Sequence, residues 1–152
     1  MKIFNKTIEF KTTKYLEFVD ITEEVKKFII DNQIVNGQVL IYSPHTTLAI
    51  RVNEKEKGFT EDFKDFMTKL IPPKKYYRHN DLKIRTENLQ CDLVGDTDCL
   101  NGHSHCTHFL MGASENIPII EGKLMLGIWQ WVFAIELDSA RKRRVIMQIM
   151  GE

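Results

Sequence analysis

The sequence predicts an α+β fold in which largely antiparallel sheets, arranged as a sandwich or half-barrel, pack with two main helices. Short runs rich in Val, Ile, Phe and Thr recur along the chain with turn signals between them, which is typical of strands joined in hairpin order. Two segments near residues 22–32 and 58–70 have apolar residues at helical spacing instead. With 152 residues, the chain is expected to form a single domain over residues 1–152.

The first half of the chain contains both predicted helices. Thr22 resembles an N-cap, and the apolar residues that follow it share one helical face. The second helix has phenylalanines at helical spacing and ends at a Pro-Pro pair. The predicted elements of this half are two strands within residues 3–19, a helix from Thr22, strands at residues 38–42 and 48–53, and a helix from Gly58 to Leu70.

The second half is dominated by strands. Residues 72–101 have little apolar periodicity, and a segment of this length inside a compact domain is usually functional. The run from Leu124 to Leu137 is rich in β-formers and predicts one long strand with a bulge near Gly127. The other predicted elements are a short helix at residues 82–89, a short buried helix at residues 109–111 closed by Gly112, and strands at residues 117–120 and 145–150.

The composition excludes several classes of partner. The chain has 21 basic and 21 acidic side chains, so no net charge would hold it on nucleic acid or on an acidic membrane. No apolar run approaches the roughly 20 residues of a membrane span, and the first residues lack a signal-like segment. We therefore expect a cytoplasmic protein. The spacing of Cys91, Cys99 and Cys106 matches no paired-cysteine zinc motif.

Three of the five histidines lie in the segment Asn101-Gly102-His103-Ser104-His105-Cys106-Thr107-His108. If this segment is helical, His105 and His108 share a face, and if it is extended, His103 and His105 do. Neither arrangement brings all three imidazoles to one point. A three-histidine site would therefore need a residue from elsewhere, and only His45 and His79 remain.

Other polar residues are weaker candidates for ligand binding. The hydroxyls and amides of Thr46 and Thr47 suit a phosphate, although a threonine pair at a strand end is more often a simple turn. Ser104 and Ser114 lack the surroundings of a nucleophile, so capping is the alternative role. Gln130, on an apparently buried strand, needs a hydrogen-bond partner and would orient a ligand or seal a subunit interface. Arg144 ends a basic run that is either a solvated corner or a phosphate contact.

Several motifs, in order and over essentially the whole chain, resemble the YjbQ-like family, and most closely its archaeal-type subgroup. They are His45-Thr46-Thr47 with Asn53-Glu54, Tyr77-Arg78-His79-Asn80, Asn101 to His105 with Leu110-Met111-Gly112, Gly122-Lys123, Gly127 to Gln130, Arg143-Arg144 and Gly151-Glu152. The resemblance implies a compact antiparallel α+β domain that assembles as a homotrimer. The family is one of unknown function and is also labelled secondary thiamine-phosphate synthase.

The resemblance also implies a site. The shared pattern falls on His45, His79 and His105, and three imidazoles with an open fourth position are typical of a catalytic divalent metal, most often zinc. Many family members have His-Asp where this chain has His79-Asn80, and Asp81 is the substitute carboxylate. The family label implies thiamine-phosphate synthesis, whereas a metal held by three histidines better suits hydrolysis of a phosphorylated small molecule by metal-bound water. The alternatives are a polar cleft without metal and a non-catalytic trimeric protein that binds a metal or ligand.

Overall fold

The computed structural model describes residues 1–89 and 100–152, whose strands form two antiparallel sheets. The order is β1-β8-β3-β5-β6 in the five-stranded sheet and β2-β7-β4 in the three-stranded sheet. The strands are β1 (Lys2–Lys11), β2 (Phe18–Asp20), β3 (Gly37–Tyr42), β4 (Leu48–Glu54), β5 (Ser114–Ile120), β6 (Lys123–Leu124), β7 (Gln130–Glu136) and β8 (Lys142–Gly151). The helices are α1 (Thr22–Asp31), α2 (Lys57–Leu70) and α3 (Gly102–Met111), with a 3-10 turn at Arg78–Asn80. The predicted α+β class is confirmed.

The core lies in two layers on either side of the three-stranded sheet. One layer is formed by α1 and the inner faces of both sheets, where Val39, Ile41, Val145, Met147 and Ile149 have no exposed surface. The other layer joins the opposite face of the three-stranded sheet, through Ala49, Phe133 and Ile135, to residues of α2 and α3. Burial of these apolar side chains is the main stabilising contribution to the fold. The outer face of the five-stranded sheet remains exposed to solvent.

The predicted long strand from Leu124 to Leu137 is wrong. The run is divided into β6 and β7, which belong to different sheets. Between them the amide of Gly127 donates to the side-chain oxygen of Gln130 at 2.8 Å, and Ile128 and Trp129 are 86% and 67% exposed. Composition alone did not separate these exposed apolar residues from the buried ones that follow. Gln130 is itself exposed, which corrects its expected burial.

Two predictions about helices are also wrong. The helix expected to be short and buried near residue 109 is the ten-residue α3, and Phe109 is 89% exposed. Residues 82–89 form turns and irregular backbone instead of a helix, and Leu82 and Ile84 are exposed.

The N-terminal ends of α1 and α2 are stabilised by acidic side chains outside each helix. The carboxylate of Asp20 accepts from the amide of Thr22 at 2.9 Å. Thr22 is therefore inside α1 and is not its N-cap as predicted, and its hydroxyl instead accepts from the amide of Val132 in β7. Glu56 accepts from two amides at the start of α2, where a carboxylate also interacts favourably with the helix dipole. None of the helices in residues 1–89 and 100–152 has the length and apolarity needed to cross a bilayer.

Candidate functional site

The start of α3 is fixed against the 3-10 turn that carries His79. The amide of Gly102 donates to the side-chain oxygen of Asn80 at 2.8 Å. A Cβ atom at Gly102 would lie 2.7 Å from the Cβ of Tyr77, so only glycine permits this approach. This contact brings two segments that are 22 residues apart in sequence to one place, and it sets the position of the histidines on both.

His79 and His105 form an imidazole pair at this contact. Their ring centroids are 4.5 Å apart and the rings are inclined by 56°. His105 lies on α3, so the histidine-rich segment is helical, which is one of the two conformations considered from the sequence. The ring that contacts His105 is nevertheless that of His79, and among the described residues no ring contact joins His105 to His108. Both side chains are half-buried.

A hydrogen-bond chain that begins at a carboxylate orients the ring of His79. Asn101 donates from Nδ2 to the carboxylate of Asp138 at 2.7 Å, which turns its Oδ1 toward His79 Nε2 at 3.2 Å. The same Nε2 lies 3.1 Å from Nη1 of Arg85, and a guanidinium nitrogen can only donate. Nε2 of His79 therefore faces one acceptor and one donor, and these contacts fix the orientation of the ring without fixing which nitrogen carries the proton.

Both imidazoles of the pair are kept neutral near pH 7. Burial lowers the pKa of His79, and the neighbouring guanidinium of Arg85 lowers it further. Burial also lowers the pKa of His105, with a further contribution from His79, while Asp138 acts in the opposite direction. Arg85 donates to the backbone oxygen of His79 at 3.1 Å, which places its positive charge beside the ring. A neutral pair of this kind offers lone pairs to a cation or to a proton.

His45 lies in a separate basic pocket at one end of the five-stranded sheet. Its Nε2 accepts from the backbone amide of Arg144 at 3.1 Å, so in the neutral ring the proton is on Nδ1. Burial and the charges of Arg143 and Arg144 lower its pKa. The pocket has a volume of about 440 Å³ and is lined by Glu9, Phe10, Lys11, His45, Lys142, Arg143 and Arg144. Arg143 is paired with buried Glu136, so the remaining charges are those of Lys11, Lys142 and Arg144 against Glu9, and this net positive lining suits an anion.

A buried ion pair connects the basic pocket to the imidazole pair. Glu136 has no exposed surface, and both its carboxylate oxygens accept from Arg143, one of them from Nε at 2.6 Å. One of the same oxygens accepts from the amide of Asp138 at 2.9 Å, and Arg143 also donates to the hydroxyl of Thr47 at 2.9 Å. The end of β7 therefore positions Asp138, which acts on His79 through Asn101, on one side. On the other side it positions the turn that contains His45.

The structure brings together two of the three predicted histidines. His79 and His105 are adjacent, whereas the described contacts of His45 are with Arg144 and its neighbours. Within residues 1–89 and 100–152 of a single chain, no group of three or more His, Cys, Asp or Glu side chains is placed to hold a metal ion. One chain therefore supplies a pair of possible ligands and a separate anion pocket.

The remaining predicted residues have varied surroundings. Asp81 accepts from the hydroxyl of Tyr76 and the amide of Lys83, and Asp138 is the carboxylate that orients His79. Thr46 is exposed in the turn beside His45, whereas the hydroxyl of Thr47 is buried against Arg143. Ser114 and Gln130 lie apart from the imidazole pair. Ser114 is exposed at the start of β5, and Gln130 borders a pocket between α1 and the loop before β7.

The other two histidines on α3 point into the protein. His103 packs edge-on against Tyr15 with ring centroids 5.4 Å apart, and Nε2 of His108 is buried without a hydrogen-bond partner in the part of the chain that the structure describes. Cys106 is exposed and free. Cys91 and Cys99, which are expected to have no special role, lie outside the described residues.

Sequence reasoning missed the residues that support the site. Asn101 was named only as part of the histidine-rich segment and of a family motif, and Asp138 was not singled out. Arg143 was placed in a solvated basic corner, yet only 4% of its side chain is exposed, because Glu136 neutralises it inside the protein. No signal within the basic run distinguishes a buried arginine from an exposed one, since the partner Glu136 lies on β7 in the other sheet.

Comparison with known proteins places the chain among relatives of the same length. The model of the family described as UPF0047 protein YjbQ-like matches residues 6–152. A UPF0047 protein of Archaeoglobus fulgidus is 37% identical over 140 residues, which cover 92% of this chain and 96% of that protein. The UPF0047 protein YugU of Bacillus subtilis is 33% identical over 146 residues, which cover 96% of this chain and 98% of that protein.

Two solved structures agree with the fold. A YbjQ-like protein of unknown function from Sulfolobus solfataricus P2 superimposes with a TM-score of 0.84, at 33% identity and with 99% of each chain covered. A hypothetical protein from Aeropyrum pernix K1 gives a TM-score of 0.79, at 33% identity and with all of both chains covered. The resemblance stated from the motifs is confirmed, including its archaeal relatives. This chain belongs to the UPF0047 YjbQ-like family.

Proposed function

We propose that this protein is a metal-dependent enzyme that acts on a small phosphorylated molecule. The observation that carries the proposal is the neutral imidazole pair of His79 and His105, with its rings 4.5 Å apart and His79 oriented by Asn101 and Asp138. In metal sites the ligating histidine commonly has its other nitrogen held by a carboxylate or amide in this way. The proposal includes a cytoplasmic location, which is the one expected from the sequence.

The donor set of the pair suits a divalent cation, with zinc as the first candidate. Neutral imidazole nitrogen is a preferred zinc ligand, and the described hydrogen-bond contacts of the His79 ring are both at Nε2, so Nδ1 would be the nitrogen that binds the ion. When bound, such an ion supplies Lewis-acid chemistry toward a phosphoryl or carbonyl oxygen. A catalytic zinc site normally has three protein ligands. His79 and His105 account for two of them within one chain.

His45 fits a different role in the same reaction. Because its Nε2 accepts from the amide of Arg144, its Nδ1 carries a proton and is a donor. A donor surrounded by Lys11, Lys142 and Arg144 is suited to the oxygens of a phosphoryl group. We therefore assign His45 to binding the phosphoryl group, with the exposed hydroxyl of Thr46 beside it, while Thr47 holds Arg143 in place.

Two reaction types remain within this proposal. The family label suggests thiamine-phosphate synthesis, in which the protein would position two phosphorylated reactants and bind the departing diphosphate. Hydrolysis of a phosphate ester needs only one phosphorylated reactant and water, and it fits a single pocket of about 440 Å³ better. We favour the hydrolytic reaction.

The test is elemental analysis of protein purified without chelators. We expect close to one zinc per chain in the wild type and its loss in both His79→Ala and His105→Ala. His103→Asn is the matched control, because it replaces a half-buried imidazole on α3 that packs against Tyr15, and it should keep the metal. Wild-type protein without stoichiometric metal would contradict the proposal.

Two further variants test the roles within the site. His45→Ala should keep the zinc but lose binding of inorganic phosphate, measured by calorimetry on the zinc-loaded protein. Loss of zinc in His45→Ala would instead make His45 the third ligand. Asp138→Asn removes the charge that orients Asn101, and we expect roughly a 10- to 100-fold weaker affinity for zinc.

A non-catalytic homotrimeric module that binds a metal or small ligand is the second candidate. It needs no catalytic group, and the basic pocket around His45 and Arg144 would be sufficient to bind a small anionic ligand. This candidate predicts that His105→Ala loses zinc but leaves the turnover of a panel of phosphate esters unchanged. Turnover that falls together with zinc content supports the enzyme.

A further inference from the structure

A second pocket, separate from the basic pocket of His45, lies between α1 and the loop that joins β6 to β7. Because β6 belongs to the five-stranded sheet and β7 to the three-stranded sheet, this loop crosses from one sheet to the other beside α1. The space that it encloses, here called the α1 pocket, has a volume of about 440 Å³, which is within the range of pockets that bind small molecules. None of its lining residues lines the basic pocket.

The walls of the α1 pocket are apolar. They are formed by six large side chains, which are Ile29, Ile30, Leu124, Leu126, Ile128 and Trp131. Ile29 is only 1% exposed, whereas Ile30 and Ile128 are 68% and 86% exposed. The pocket therefore leads from the core to apolar side chains that are in contact with water. A ligand with an apolar body would remove that surface from water, which favours binding.

The loop beside the α1 pocket is held by its own hydrogen bonds. The amide of Gln130 donates to the backbone oxygen of Gly127 at 2.9 Å, and the amide of Gly127 donates to the side-chain oxygen of Gln130 at 2.8 Å. The amide of Leu126 donates to the backbone oxygen of Leu124 at 2.9 Å. Since these bonds already fix the turn, binding would require little further ordering of the chain.

The long polar side chains that line the α1 pocket are hydrogen-bond donors. Because a backbone amide only donates, the bond from Gly127 occupies the side-chain oxygen of Gln130 and leaves the hydrogens on its Nε2 to donate. Lys26 and Lys123 carry the only charges among the described residues that line the pocket, and none of those residues is acidic. Two ammonium groups and an amide nitrogen are suited to an anionic group.

Both ammonium groups are accessible to a ligand. Lys123 is exposed. Lys26 pairs with Glu23 at 2.9 Å, but the two side chains are 44% and 73% exposed, and an ion pair of this kind adds little stability. A bound anion can therefore replace Glu23 as the partner of Lys26. The Lys26 ammonium also lies 6.0 Å from the centroid of the Trp131 ring, so the positive charge is next to an apolar wall of the pocket.

We propose that the α1 pocket binds a small amphipathic carboxylate, such as a medium-chain fatty acid. The alkyl chain would lie against Ile29, Leu126 and Trp131, and the carboxylate would accept from the donor side chains. A neutral or cationic apolar molecule would leave the ammonium groups without a counter-charge, and inorganic phosphate would leave the walls uncovered. The inference requires neither a metal nor the imidazole pair, so it goes beyond the proposed function.

The test uses sodium decanoate as the probe and the fluorescence of the chain's two tryptophans as the signal. Trp131 lines the α1 pocket and Trp129 lies in the adjoining loop. At decanoate concentrations below micelle formation, we expect a saturable change with one decanoate bound per chain. Decyltrimethylammonium, which has an alkyl chain of similar length and a positive head group, should bind about tenfold more weakly or less. Equal affinity for the two probes, or no saturable change, would overturn the proposal.

Reversal of single charges tests the donor side chains. Lys26→Glu and Lys123→Glu should each weaken the affinity for decanoate by about tenfold. Lys27→Glu is the matched control, because Lys27 is on the same helix, forms an ion pair of the same 2.9 Å length with Asp31 and does not line the pocket. It should change the affinity by no more than about twofold at physiological salt. An equal loss in Lys27→Glu would show a general effect of net charge and refute the site.

A charge placed on the apolar wall tests the position of the alkyl chain. Ile128→Asp should abolish saturable binding of decanoate, and the high exposure of Ile128 means that the change should not disturb folding. Leu70→Asp on α2 is the control, since Leu70 is 54% exposed and lies outside the α1 pocket. Unchanged affinity in Ile128→Asp, or an equal loss in Leu70→Asp, would contradict the proposed position.

Competition with inorganic phosphate distinguishes the α1 pocket from the basic pocket of His45. Excess phosphate should displace no more decanoate than sodium chloride of the same ionic strength does. Specific displacement by phosphate would place the decanoate in the basic pocket and overturn the proposal. Two other occupants of the apolar wall would also overturn it. A membrane would make the protein sediment with phosphatidylglycerol vesicles without saturable decanoate binding, and a second copy of the chain would exclude decanoate as protein concentration rises.

Discussion

Removing Arg143 should be far more costly to the fold than removing a surface charge. Arg143→Met leaves the carboxylate of Glu136 without a counter-charge at a position that has no exposed surface. Two charge-assisted hydrogen bonds are lost, at about 1.5–3 kcal/mol each, and breaking one partner of a buried ion pair typically costs about 3–5 kcal/mol. We expect the free energy of unfolding to fall by about 3–5 kcal/mol.

The assay is urea denaturation followed by tryptophan fluorescence at a fixed protein concentration, because association changes the apparent stability. The melting temperature should fall by about 6–12 °C for a loss of 3 kcal/mol in a chain of this length. Lys27→Met is the control. It breaks a surface ion pair of 2.9 Å in which the Lys27 side chain is 69% exposed, and it should cost no more than about 0.5 kcal/mol.

A double variant separates the charge from the volume. Glu136→Leu with Arg143→Met removes both charges and fills the space with apolar atoms, so it should recover at least half of the stability lost in the single variant. Thr12 and the amide of Asp138 lose an acceptor, which prevents full recovery. If Arg143→Met cost less than about 1 kcal/mol, the assignment of a buried, mutually dependent ion pair would be refuted.

Two further predictions concern pH and backbone packing. The pKa of each of the five histidines is lowered mainly by burial, so the unfolded chain binds more protons than the folded one just below pH 6.5. The free energy of unfolding should therefore be highest above about pH 6.5 and fall toward pH 5. Urea denaturation at several pH values in this window, with a chelator present, measures this free energy. A free energy that does not change with pH would contradict the burial of neutral imidazoles. Gly37→Ala should cost about 3 kcal/mol, because its Cβ would lie 2.3 Å from the backbone oxygen of Met150 and 2.7 Å from the Cα of Gly151. Gly122→Ala, with a φ of +74° but no contact closer than 3.7 Å, should cost about 1 kcal/mol from backbone strain alone; equal losses in thermal denaturation would argue against the close strand contact at Gly37.

The sequence determined the elements whose side chains alternate or repeat regularly between a buried and an exposed side. β8 was predicted at residues 145–150 and spans Lys142–Gly151, with Val145, Met147 and Ile149 inside. Local patterns of this kind survive folding because the period is a property of the backbone itself. The same holds for α2, whose phenylalanine spacing set its extent to within a residue.

Apolar composition without a period misled the prediction. Phe109, Ile128 and Trp129 are hydrophobic and exposed, and nothing in their neighbours along the chain indicates this. Whether an apolar side chain is covered depends on what packs over it, and that surface comes from distant segments or from another molecule. The errors at α3 and at the β6–β7 run have this one cause.

The candidate site was determined in two stages. The histidines were visible in the sequence. The spacing of His103, His105 and His108 showed that neither a helix nor a strand could bring all three imidazoles to one point. Only the tertiary structure decided that His105 meets His79, that Asp138 acts on His79 through Asn101, and that His45 belongs with Arg144 instead. Each of these contacts spans at least 22 residues, because a functional site is assembled where chain segments converge and not where the residues are close in sequence.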